Sequence, residues 1–183
     1  MKFTSDQGQD RFVHEMIVSA ENNKFGTFLD IGCNGGSNTK SLEDIGWVGM
    51  LFDKDPLDHE RKSEFHQCDA KSVIYPKNWT GFDYLSLDVN EDSLLALVNI
   101  PLKSIKFRII TIEHDAYNYP SKPNWLRTPM RNVLSLAGYD LICSNVCCKP
   151  GSEFEDWWVS PELSRRADKF RCEGKYWNDI FNL

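Results

Sequence analysis

Phe28-Leu29-Asp30-Ile31-Gly32-Cys33-Asn34-Gly35-Gly36 is the stretch that decides the fold of this chain. A short apolar strand, Thr27-Phe28-Leu29, runs into an acid and then into glycines at 32, 35 and 36. Ser37 to Ile45 follows with helical character, with cap-competent Ser37 and Asn38 at its start and Gly46 at its stop. Such glycines bring bare backbone close to a ligand, because a Cβ at those points would block the approach. The helix starting near Ser37 aims its first N–H groups at the same space, a favourable setting for a carboxylate. Asp30 stands where it can take a ligand's ammonium, directly or through water.

Working outward, each further apolar run also closes on polar or acidic residues. Val48 to Phe52 ends in Asp53, Glu64 to Gln67 ends near Asp69, and Phe82 to Leu87 ends in Asp88. Leu94, Leu95, Leu97 and Val98 mark a helix, and Phe107 to Ile112 is the strongest strand, ending in Glu113-His114-Asp115. Ala116 to Pro129 carries three prolines with Tyr117, Tyr119 and Trp125 and reads as a lid or loop. Arg131 to Ala137 is a helix stopped by Gly138, Tyr139 to Cys143 a sixth strand and Phe154 to Val159 a last one. Phe12, Val13, Met16, Ile17 and Ala20 lie at helical spacing within a lead-in helix over about 6–20, and a polar tail or helix fills about 161–183. Strand and helix alternate across a core of about 27–159, which predicts an α/β fold with a mainly parallel sheet and helices on both faces. In such sheets ligands bind at the carboxyl ends of the strands, where these acids collect.

At 183 residues the chain is long enough for one domain with a proper core and short for two. A net charge of −6 gives no positive field to hold a phosphate backbone, which disfavours nucleic acid as a partner. The polar start, with Lys2, Asp6, Asp10 and Arg11, and the lack of a long apolar run predict no membrane span and a cytoplasmic location. Six cysteines include no Cys-x-x-Cys pair, so reduced, mostly buried thiols are expected and no metal site is called for.

A dinucleotide site is the competing reading of the glycine loop, but it wants Gly-x-Gly-x-x-Gly to receive a pyrophosphate. Here Asn34 replaces the second glycine and Ser37 the third, and an acid two residues before the first glycine suits a diphosphate poorly. Asp53, about twenty residues on, can hold a ribose diol in either case.

The order of Phe28 to Gly36, Gly46-Trp47-Val48-Gly49 to Asp53 and Pro56, Phe82 to Val89, and Phe107 to His114 resembles the FkbM-type methyltransferases. Gly138-Tyr139 and Phe154-Glu155-Asp156-Trp157-Trp158 extend the likeness. It implies a Rossmann-like methyltransferase fold with a seven-stranded sheet, S-adenosylmethionine as donor, and a hydroxyl of a sugar, glycan or other small molecule as acceptor. By motif position Asp30, Gly32 and Gly35 meet the donor's methionine end, Asp53 the ribose, and Asp69 with Ala70 the adenine, with Cys33, Asn34 and Lys54 as further donor-binding candidates. Asp88 faces the methyl group and the acceptor. The family commonly writes Asp-Val-Glu-Gly after the fourth strand, whereas this chain has Asp88-Val89-Asn90-Glu91.

Methyl transfer to a hydroxyl gains most of its rate from in-line positioning and needs a base beside the acceptor. Asp88, Glu113 and His114 are the candidates, His114 because its proton exchanges near neutral pH. Tyr117, Tyr119, Trp125, Trp157 and Trp158 are candidate aromatic walls, and Arg127, Arg131, Arg165 and Arg166 candidate partners of a charged acceptor. A catalytically silent donor-binding module, a ribose 2′-O-methyltransferase and an NAD-dependent oxidoreductase are the alternatives.

Overall fold

The computed structural model describes residues 2–33, 38–57, 60–122 and 124–182. Its strands are β1 (Thr27–Ile31), β2 (Val48–Asp53), β3 (Glu64–Gln67), β4 (Gly81–Leu87), β5 (Lys106–Glu113), β6 (Asp140–Lys149), β7 (Ser152–Val159) and β8 (Cys172–Glu173). They form one sheet in the order β3-β2-β1-β4-β5-β7-β6-β8. Neighbours from β3 to β5 are parallel, and β7 alone runs against its neighbours β5 and β6. That reversal follows from a two-residue connection: Lys149 pairs with Ser152 across Pro150-Gly151, and Gly151 takes the positive φ of 78° that such a turn asks of glycine. The sheet has one strand more than the seven expected. β8 has two residues, too few for any alternation to show in the sequence.

The helices are α1 (Gln9–Val13), continued as a π-helical turn through His14–Ser19, then α2 (Lys40–Asp44), α3 (Ser93–Asn99), α4 (Arg127–Leu136), α5 (Ser164–Ala167) and α6 (Trp177–Ile180). Two starts differ from expectation. The regular part of α2 begins at Lys40, three residues after Ser37. α4 begins at Arg127 because Pro129 falls in its first turn, where a missing N–H breaks no intrahelical bond.

Two apolar layers sandwich the sheet, and strand alternation sorts residues between them. Phe28, Leu51, Tyr84, Ile109 and Trp157 face Phe12, Met16 and Phe170 of the terminal segments, whereas Leu29, Leu85, Ile110 and Trp158 face Leu97 of α3 and Met130 of α4. Trp157 and Trp158 are therefore both buried, one in each layer, and neither is a ligand wall. Truncating either to alanine costs about 3–5 kcal/mol.

Candidate active site

The strand order reverses between β1 and β4, so a crevice opens above their carboxyl ends. There the Gly32 N–H donates to Phe52 O at 2.8 Å and the Asp88 N–H to Ile31 O at 2.9 Å, knitting the ends of three strands together. Gly32 has φ +86°, and a Cβ on it would lie 1.8 Å from the carbonyl oxygen of Asp88. The first glycine is thus demanded by backbone packing of β1 against β4, ahead of any ligand. Asn34, Gly35, Gly36 and Ser37 lie outside the described residues.

A cleft of about 310 Å³ follows this edge, lined by Gly32, Asp53, Lys54, Asp55, Asp69, Ala70, Asp88, Val89, Asn90 and Asp92. Six of the donor-binding candidates, Gly32, Asp53, Lys54, Asp69, Ala70 and Asp88, are brought together here. Asp53 Oδ1 accepts the Asp55 N–H at 3.0 Å, and Asp69 Oδ1 accepts the Lys71 N–H at 2.8 Å, capping the turn that carries Ala70. Cys33 departs from the set: its side chain is buried in the layer with Phe12 and Leu42, and burial pushes its thiol up, so it offers no side-chain contact to the cleft.

Asp30 lies near the end of β1, 1% exposed. Its Oδ2 accepts from Thr39 Oγ1 at 2.6 Å and stands 3.9 Å from Arg61 Nη1, while its Oδ1 has no hydrogen-bond partner among the described residues. Burial raises its carboxyl from the ordinary range. Arg61, whose side chain is shut off from solvent, also donates to Thr39 Oγ1 at 2.6 Å and to Glu43 Oε2 at 3.2 Å. No pattern in the sequence marks this residue, because it lies in a polar connection with no periodicity.

Asp88 and Glu113 follow the last registered pair of β4 and β5, Leu87 opposite Ile112. Asp88 is half-buried at the cleft; Glu113 is 3% exposed behind it and accepts the Asn90 N–H at 2.9 Å. Burial, the Asp88 charge and a hydrogen bond with Asp88 push Glu113 up to about 11, and burial also raises Asp88. Asn90 has φ +52°, a conformation that asparagine adopts more readily than glutamate.

His114 does not join them. Adjacent Glu113 and His114 project to opposite faces, and His114 goes to the α4 side, where its side chain is fully buried. Its Nδ1 accepts the Ala116 N–H at 3.3 Å, so Nε2 carries the proton, 3.7 Å from Asp156 Oδ1. Burial lowers it to about 4. A ring enclosed in this way cannot serve as base at the cleft, which corrects the expectation for His114.

Arg131 and Arg127 complete that second cluster. Arg131 clamps Asp156 through two 2.7 Å bonds, and Arg127 binds Asn145 at 2.6 Å and pairs with Glu153. Arg166 is engaged by Glu21 and Met16 O. These three arginines therefore serve the scaffold. Tyr117 and Trp125 keep 39% and 45% of their surface exposed, and Tyr117 and Pro120 form one wall of a groove of about 330 Å³ against Cys147 and Gly151 to Glu153.

The N-terminal segment packs against the start of α2. Asp10 is fully buried and accepts from the Thr4 N–H at 2.7 Å, Ser5 Oγ at 2.5 Å and Ser41 Oγ at 2.5 Å, tying residues 4–10 to α2. Gln9 donates to buried Glu155 at 3.1 Å, and Asp6 adds its charge to the surroundings of Asp88. Among the described residues no group of three or more His, Cys, Asp or Glu side chains is placed to hold a metal ion. No helix among them is long and apolar enough to cross a membrane.

No protein-family model matches the sequence, and no curated protein matches it. Solved structures do match. The TehB-like SAM-dependent methyltransferase of Corynebacterium glutamicum aligns with a TM-score of 0.55 at 20% identity over 84% of this chain and 86% of that one. Magnesium protoporphyrin IX methyltransferase (ChlM) of Synechocystis, with bound SAM, gives 0.54 at 13% identity over 85% and 79%. The N-methyltransferase NodS of Bradyrhizobium japonicum, in complex with S-adenosyl-L-homocysteine, gives 0.53 at 13% over 84% and 86%. The chain has the methyltransferase-like α/β fold.

Proposed function

We propose that the chain is an S-adenosylmethionine-dependent methyltransferase acting on a small-molecule acceptor. The observation that carries this reading is the acid-lined cleft at the carboxyl ends of β1, β2 and β4, at the reversal point of the sheet. It lies in a fold shared with proteins crystallised with this donor or its demethylated product.

The residues suit the donor. Asp30 keeps a buried oxygen without a partner among the described residues, the complement of a ligand's amino group. Asp53 holds the ribose diol at the end of β2, and Asp69 with Ala70 borders the adenine. When bound, S-adenosylmethionine supplies an electrophilic methyl group on a sulfonium. Asp88, half-exposed at the cleft, orients the acceptor and draws on its proton, and the groove beside Tyr117 receives the rest of the acceptor. The resemblance to FkbM-type enzymes supports a hydroxyl of a sugar, glycan or other small compound as that acceptor.

Calorimetry with S-adenosylmethionine, S-adenosylhomocysteine and NAD tests the donor. Binding of the first two and not of NAD is expected, and no affinity for either adenosyl ligand overturns the reading. A methyl-transfer screen over glycans, nucleotide sugars, hydroxylated metabolites and amines then tests the acceptor class, with turnover on amines alone overturning the hydroxyl assignment.

A further inference from the structure

Asp88 and Glu113 stand beside each other at the ends of the parallel neighbours β4 and β5, directly after the registered pair Leu87 and Ile112. Two carboxylates so placed, one of them buried, repel each other when both are ionised, and burial raises both, which favours a single proton on the pair. Glu113 is the inner member, fixed by the Asn90 N–H, and Asp88 the outer member, lining the cleft. The titratable groups that act on the pair include Asp6 from the N-terminal segment, Asp30 from β1, Asp53 from β2, Asp115, Tyr117 and Tyr119 beyond β5 and Glu155 from β7, with Asn38 as a neutral partner. Of the nearby lysines, Lys54 lines the cleft beside Asp53 and Lys71 is engaged by Asp92 at 2.7 Å. The pair thus sits in a negative field that a cationic ligand relieves and a neutral one does not.

We propose that Asp88 and Glu113 together form the proton store of the methyl transfer, releasing their shared proton when a cationic donor enters the cleft and taking the acceptor's proton as that charge disappears. This rests on the reading of the cleft as an S-adenosylmethionine site. The acceptor's lone pair forms the bond to the methyl carbon, the carbon–sulfur electron pair returns to sulfur, and the proton left on the acceptor passes to Asp88. The singly protonated pair is then restored, with no further reactant consumed. Asp88 meets the acceptor; Glu113 is a positioning residue that acts through it.

Titration calorimetry of S-adenosylmethionine and S-adenosylhomocysteine, each in two buffers of different protonation heat, counts the protons exchanged on binding. The two ligands share their amino-acid and adenosine parts and differ in the sulfonium methyl, and comparison with Glu113→Gln separates the pair's protons from those of the ligand's own amino group. S-adenosylmethionine is expected to release more, and the difference grows as the buffer pH is raised toward the pair's titration. Glu113→Gln, which still accepts the Asn90 N–H and still hydrogen-bonds Asp88, removes that difference while binding persists. Equal proton counts for the two ligands in the wild type overturn the proposal while leaving the donor assignment standing, and so does a difference that survives in folded Glu113→Gln. Failure of both ligands to bind overturns the donor assignment and the proposal with it.

Discussion

Gly32 and Asp88 are in backbone contact: the one missing Cβ lets the end of β1 close to within bonding distance of the end of β4. Gly32→Ala combines a left-handed φ with a 1.8 Å clash against a carbonyl that strand pairing holds in place. A loss of about 3 kcal/mol or more is expected, with at least about tenfold weaker donor binding. Thermal unfolding and calorimetry check both, and a variant that melts like the wild type refutes the packing argument.

Arg61 is a buried cation shared by Asp30, Thr39 and Glu43. Arg61→Met leaves two buried carboxylates without it and is expected to cost about 3–5 kcal/mol. Arg61→Lys restores the charge without the fork and recovers part of the loss. Urea unfolding of the two variants measures the difference; equal stability of both with the wild type contradicts the assignment.

His114 gives an acid-sensitive term in stability. Its folded value near 4 lies below the ordinary 6.5, so the unfolded chain binds the extra proton between those limits. The stabilisation is complete above pH 6.5 and is lost as pH falls toward 4, by about 3 kcal/mol. His114→Gln flattens that slope while kcat stays within about tenfold of wild type. A kcat collapse in a stable variant returns His114 to the chemistry.

Glu155 acts in the opposite sense. Burial between Gln9 and Trp157 raises it from 4.5 to about 8, so the folded chain keeps a proton that the unfolded chain gives up. Its contribution is present below pH 4.5 and is lost as pH rises toward 8, by about 4–5 kcal/mol. It offsets His114 between 4.5 and 6.5 and acts without that counterweight above 6.5. Glu155→Gln removes its share of the decline on the alkaline side and leaves the part that Glu113, Asp88 and Asp30 contribute, which denaturation at a series of pH values measures.

The sheet and its acidic edge were legible because apolar runs of strand length end on Asp30, Asp53, Asp88 and Glu113, and the parallel topology puts strand ends on one side. Direction was harder. Glu113 and His114 are adjacent letters, yet one turns to the cleft and the other to α4, and only the ladder of β5 with β7 decides which. The long β6 hid behind bulges around Asn145, whose positive φ breaks the period-two pattern. Arg61 was silent because its meaning lies in groups 18 and 22 residues away, Glu43 and Thr39.

Arg61 hangs from the connection between β2 and β3, the strands that lead to Asp53 and Asp69, yet its guanidinium is lodged against Asp30. One hinge pin therefore fastens the Asp53 and Asp69 side of the cleft, proposed to take the nucleoside, to Asp30, proposed to take the amino-acid part. Adenosine and methionine, offered as separate fragments, are expected to help each other bind, and that mutual help disappears when the pin is cut.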